Sequence, residues 1–253
     1  PAILLYPFLT LMAIYGIGRR FLLTKWKALV VATGGAGLPG PAMVHLECFF
    51  AQAMGIPLLL VFPIFLTKLL NRPGWRSLCL ASLVLAAGTT NYTEFYPLFL
   101  GIGFLSFGGS VVLRQRHSLI LLWLAALVLV SMLLNSGFLR GVLAITDRVS
   151  AKFDSLEGIY PWALSFDGLQ RIWFGDLCAT RNSALGSLVG VFCLALTLLG
   201  IAGLAFNLWK RRDALSLSVL ALGMLPAALL PQVSHHKYQF YKILLSMSPL
   251  YPL

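Results

Sequence analysis

Leu, Val, Ala, Ile and Phe run along this chain in blocks of roughly twenty residues, and polar residues are confined to the gaps between them. Blocks of that length match the roughly 20 apolar residues a helix needs to cross the hydrocarbon core of a bilayer. The pattern predicts spans at about 1–18, 28–46, 48–69, 77–91, 95–113, 118–138, 184–209, 214–231 and from 242 onward. The expected fold class is all-α, a polytopic transmembrane helix bundle of about seven complete spans plus truncated spans at both ends. Residues 1–253 read as a single transmembrane domain with one long outer connection at 139–183. The chain starts at Pro1 and stops at Leu253 inside apolar runs, with no initiator Met and no charged start of a signal peptide, so a piece of a longer polytopic protein is expected.

Two of these spans are irregular. The second opens with Ala28-Leu29-Val30-Val31 and then gives way, from Thr33 to Pro41, to a Gly- and Pro-rich stretch that a lipid-exposed helix tolerates poorly. Non-helical backbone at membrane depth survives only inside protein or beside a watery cavity. The fourth span is short and ends in Gly88-Thr89-Thr90-Asn91. Broken or short spans with polar ends are places where membrane proteins build binding sites.

Charge orients the bundle. Four short connections are basic: Arg19, Arg20, Lys25 and Lys27; Lys68, Arg72 and Arg76; Arg114 and Arg116; Lys210, Arg211 and Arg212. Asp213 is the one acid beside them, while Glu47, Glu94, Asp147, Asp154, Glu157, Asp167 and Asp176 all fall in the alternate connections. An excess of Lys and Arg in short loops marks the cytoplasmic face, so the chemistry is expected on the outer face.

Composition narrows the classes. With 59% hydrophobic residues, 11% charged residues and a mean hydropathy of +0.87, the chain lies far from a soluble average. The net charge of +11 does not signal nucleic acid, because 12 of the 19 basic residues sit in the four loops that topology explains. Cys48, Cys79, Cys178 and Cys193 lack CxxC spacing, which suggests neither a metal site nor a disulfide framework, and no cofactor is expected. Gly35-Ala36-Gly37-Leu38-Pro39-Gly40 spells GxGxxG without the strand, helix start or acid that a nucleotide fingerprint requires. Asn91-Tyr92-Thr93 matches a glycosylation sequon close to the bilayer, and Gly186 with Gly190 fits small-xxx-small helix packing.

Three outer constellations could carry chemistry. His45-Leu46-Glu47 precedes the third span, where a turn could join two side chains that a continuous helix would point apart. Tyr92-Thr93-Glu94 precedes the fifth span; a carboxylate there is stabilised by a helix N-terminus, and near membrane depth it is costly enough to be a functional suspect. The third runs through His235, His236, Lys237, Tyr238, Tyr241 and Lys242 into the last span. Positive charge there gains nothing from topology, but it could hold a lipid-linked phosphate, with His and Tyr adding hydrogen bonds. Interfacial anchoring by snorkelling lysines is the plainer reading of the same residues. Adjacent histidines project about 100° apart on a helix, so His235 and His236 are not expected to chelate one metal. In the outer connection, Leu169, Ile172 and Trp173 recur at helical spacing and predict an amphipathic helix lying on the bilayer. Outer loops of this length commonly cover an active site or substrate entrance.

The layout, together with Tyr92-x-Glu94 at the outer end of a short span and Tyr238-x-x-x-Lys242 entering a late one, resembles bacterial membrane glycosyltransferases of the GT-C class. The resemblance implies a polyprenyl-phosphate-linked sugar donor, transfer on the extracytoplasmic side of the inner membrane, and membrane lipids as surroundings. It implies an acceptor-side role for Glu94 and Glu47, a phosphate-holding role for Lys237 and Lys242, and supporting contacts from His235, His236, Tyr238, Tyr92 and His45. The essential acid of that class lies in a first outer loop, which in this layout would precede Pro1. The alternative is a transporter or flippase of a lipid-linked or small polar substrate, with the same residues lining a pathway; a structural subunit is a third possibility. A transporter is expected to show paired repeats or mid-span charges, and neither is clear in the sequence.

Overall fold

The structure is a computed structural model that describes residues 2–20, 23–37, 50–91, 98, 99, 101–103, 106, 108, 117–137, 140, 143, 170, 173, 184–211 and 250. The described elements are all helices, as the apolar blocks predict: α1 Ala2–Arg20, α2 Lys25–Ala36, α3 Phe50–Asn71, α4 Trp75–Asn91, α5 His117–Leu134 and α6 Ala184–Arg211. The described positions of the expected fifth span, from Leu98 to Gly108, are helical as well. By contacts the chain divides into two compact units, one of residues 1–53, 151–204 and 223–253, the other of residues 54–150 and 205–222.

In the first unit, α1 and α2 form a packed helical hairpin. Arg19 and Arg20 occupy the last turn of α1, where cations complement the macrodipole, and the Arg19 guanidinium donates to the Leu23 carbonyl at 2.7 Å. Thr24 caps α2, its hydroxyl accepting from the Lys27 N–H at 3.3 Å. Close approach is possible because the facing residues are small. A Cβ on Gly18 would stand 3.3 Å from the Ala28 Cβ, and α2 buries Ala28, Ala32 and Gly35 along one face.

In the second unit, α4 packs on α5. Their seam holds two serines: the Ser131 hydroxyl donates to the Leu127 carbonyl at 2.7 Å, and the Ser82 hydroxyl reaches the same carbonyl from the other helix at 3.4 Å. α3 carries Pro57 and Pro63 inside its length, both buried. Each lacks an N–H, so Pro63 leaves the Leu59 carbonyl without its helical donor, a defect that membrane helices tolerate more readily than soluble ones. The Phe62 ring of α3 meets Phe99 edge-on, with centroids 5.0 Å apart and planes at 75°.

The core is built from residues such as Ile14, Ile17, Leu59, Phe62, Leu66 and Leu127, yet several helices also bury a hydroxyl and leave large apolar side chains exposed. α6 buries Gly190, Cys193 and Thr197, three positions on one face, and exposes Leu188, Val191, Phe192, Leu198, Leu199 and Phe206. α5 buries Ser131 beside Leu127 and exposes Leu121, Leu122, Leu129 and Leu133. α1 buries Tyr6 and Thr10, whose hydroxyls lie one turn apart, and exposes Leu5, Phe8, Leu9 and Met12. One helical stretch among the described residues, Met54–Asn71, is long and apolar enough to cross a membrane by length and composition; Leu121–Leu134 and Ser187–Gly203 are shorter apolar stretches.

The Gly-rich break differs from expectation. The helix of α2 does not dissolve at Thr33 but continues through Gly34 and Gly35 to Ala36, and Gly37 ends it by donating its N–H to the Thr33 carbonyl at 2.8 Å. The Thr33 hydroxyl is satisfied locally by donating to the Leu29 carbonyl at 2.9 Å. Burial of Gly35 supplies the physical reason: a residue without a side chain suits the packed face, and that packing outweighs a helix-propensity cost of about 1 kcal/mol. At 12 residues the helix is about 18 Å long, short of a full span.

Candidate functional site

The sequence points to an outer site assembled from His45, Glu47, Tyr92, Glu94, His235, His236, Lys237, Tyr238 and Lys242, and all of these lie outside the described residues. What the structure describes is the helical framework leading to two of the constellations, and one polar contact elsewhere.

α4 delivers the chain to Tyr92 and Glu94. Its last turns carry two threonines whose hydroxyls are spent on the helix itself: Thr89 donates within reach of the Leu85 carbonyl at 2.7 Å and the Ala86 carbonyl at 3.0 Å, and Thr90 donates to the Ala86 carbonyl at 2.7 Å. This back-bonding lets a polar sequence finish an apolar helix, because each hydroxyl is satisfied locally. Thr89 is buried while Thr90 is exposed. Gly88, one position earlier, lies against Phe99; a Cβ there would meet the Phe99 ring, with Cε2 at 2.7 Å and Cζ closer. The polar end of this helix is thus explained in part by packing and by hydroxyl back-bonding. The residues left for chemistry begin after Asn91.

α2 leads from its cap at Gly37 towards His45 and Glu47. Gly37 has φ −85° and ψ −3°, which any residue can adopt, but a Cβ on it would sit 2.8 Å from the Thr33 carbonyl oxygen. Glycine is required there by close approach to the helix end and not by backbone sign.

One polar contact was missed by the spacing argument. The Trp173 indole N–H donates to the Thr197 hydroxyl at 2.9 Å, and that hydroxyl donates in turn to the Cys193 carbonyl at 2.9 Å. Thr197 stands about 20 Å along α6 from its start at Ala184, halfway down the helix. Gln170, one turn before Trp173, is buried. Leu169 and Ile172, the other two positions of the expected amphipathic helix, lie outside the described residues. A partly buried indole N–H needs an acceptor, and a lone threonine within an apolar run provides one. That threonine, between Leu196 and Leu198, was the available signal.

Among the described residues no group of three or more His, Cys, Asp or Glu could hold a metal ion, and Cys79 and Cys193 are free thiols. No family model, curated protein or solved structure matches the chain. A functional reading therefore stands on the chain's own residues.

Proposed function

We propose that this chain is a polytopic integral membrane protein acting as a glycosyltransferase-like enzyme, using a polyprenyl-phosphate-linked sugar on the extracytoplasmic face of a bacterial inner membrane. The observation that supports the membrane half is the run of large apolar side chains left exposed on α1, α5 and α6, while Thr10, Ser131 and Thr197 are buried beside Ile14, Leu127 and Cys193. In water, contiguous apolar surface of that kind marks an interaction site, whereas in lipid it is the expected exterior. α3 alone would not decide the matter, because most of it is buried and a soluble core helix has the same character.

The chemical half is supported by residue types and their expected side of the membrane. Glu94, with Glu47 as the second carboxylate, takes the proton from the acceptor hydroxyl as its oxygen attacks the anomeric carbon. The bond from that carbon to the phosphate oxygen breaks, and its electron pair leaves on the polyprenyl phosphate. Lys237 and Lys242 stabilise that charge, with His235, His236 and Tyr238 as hydrogen-bonding partners, and His45 and Tyr92 line the acceptor side.

A reconstituted transfer assay tests this. Lys237→Gln or Lys242→Gln should lower kcat/KM by about thirtyfold, the equivalent of roughly 2 kcal/mol for one charge-assisted contact, while the protein remains inserted and folded. Full activity in both variants would remove the phosphate role. Movement of the lipid-linked substrate across the bilayer without a new glycosidic bond would favour the transporter instead.

A further inference from the structure

Two connections share one chemical design. The α1–α2 tip presents Arg19, Arg20, Lys25 and Lys27, all exposed, with Trp26 77% exposed between the lysines. The α3–α4 connection presents Lys68, Arg72 and Arg76, all exposed, beside Trp75 at 68%. Neither cluster has a counter-charge nearby in sequence, since no Asp or Glu occurs in positions 1–46 or 48–93, and no acid lies among the described residues. Lys25 and Lys27 sit in the first turn of α2 and Arg76 in the first turn of α4, where the macrodipole disfavours cations. Helix stability therefore does not account for their placement. An exposed indole flanked by cations belongs at headgroup level, where its ring meets acyl chains and its neighbours meet phosphates.

We propose that these two tips, Lys25-Trp26-Lys27 and Arg72 with Trp75-Arg76, are headgroup sites for anionic phospholipids of the cytoplasmic leaflet. The inference rests on the membrane reading above but not on the transfer chemistry. Anionic headgroups supply the missing counter-charge, and each Lys or Arg near such a surface strengthens the contact about fivefold.

The test uses the whole chain in nanodiscs of phosphatidylcholine carrying a minor fraction of phosphatidylglycerol, with lipids retained by the protein counted by native mass spectrometry. Enrichment of phosphatidylglycerol over its bulk fraction is expected. With Lys68, Arg72 and Arg76 replaced by Gln so that only the first tip remains, it should fall by about fivefold for each further charge removed in Lys25→Gln and Lys27→Gln, and survive in Lys25→Arg and Lys27→Arg. Enrichment that is absent, or equal in the Gln and Arg variants, overturns the proposal. Carbonate extraction of native membranes separates this failure from that of the wider reading: a chain released by carbonate is not integral to the membrane, whereas a chain retained without lipid preference refutes the headgroup sites alone.

Discussion

Glu94→Gln is expected to lower kcat for sugar transfer by about a hundredfold or more while leaving donor affinity within about twofold. Gln keeps the size and hydrogen-bonding capacity of Glu but cannot accept the acceptor's proton, and a positioned general base contributes about 10²–10⁴-fold. Thr89 and Thr90, the hydroxyls closest in sequence on α4, are both bonded to their own helix carbonyls. An equal loss in kcat and kcat/KM would mark an interaction made only in the transition state, whereas a rise in KM alone would make Glu94 a binding group. Glu47→Gln, measured alongside, identifies which carboxylate removes the proton.

Gly88→Val should be strongly destabilising, and Gly88→Ala mildly so. An added Cβ meets the ring of Phe99, which is buried and braced edge-on by Phe62, so neither ring can yield without opening the core of the second unit. Overpacking of this kind costs about 1–3 kcal/mol. Replacing glycine by alanine within a helix returns about 1 kcal/mol of propensity, so the net loss for Ala should lie near 1 kcal/mol and that for Val near the top of the range. Phe99→Ala alone should cost about 3–5 kcal/mol through the cavity it leaves. The double variant Gly88→Ala with Phe99→Ala should be less destabilised than the sum of the two, because the first substitution then has nothing to strike. Thermal unfolding in detergent measures all three, and strict additivity would show that the contact carries no strain.

Much of the helical layout was legible in the sequence, because long apolar blocks bounded by polar residues mark where helices begin and end. The ends of α1, α3, α4, α5 and α6 fall within a few residues of the apolar blocks, and basic residues mark the turns after Arg20 and Asn71. Local breaks were less legible. Gly34 and Gly35 read as helix breakers because propensity is a single-residue property, yet burial of Gly35 keeps them helical. The hydrogen bond of Trp173 was not legible, because spacing cannot reveal a partner 24 positions away; only the fold brings the Thr197 hydroxyl to its indole. For the site itself, the residue types argue for phosphate and proton chemistry, while assembly into one site requires contacts between segments separated by over a hundred positions, which no local pattern encodes.

The proposed function requires a membrane-embedded chain whose basic connections face the cytoplasm. Single cysteines at Gln115, Arg211 and, as an outer reference, Ser155, in a background lacking the four native cysteines, test it most directly in whole cells. A membrane-impermeant thiol reagent added outside should label position 155 alone, and positions 115 and 211 should react only after the membrane is permeabilised. Labelling at 115 or 211 in intact cells would place those connections outside and overturn the proposed topology.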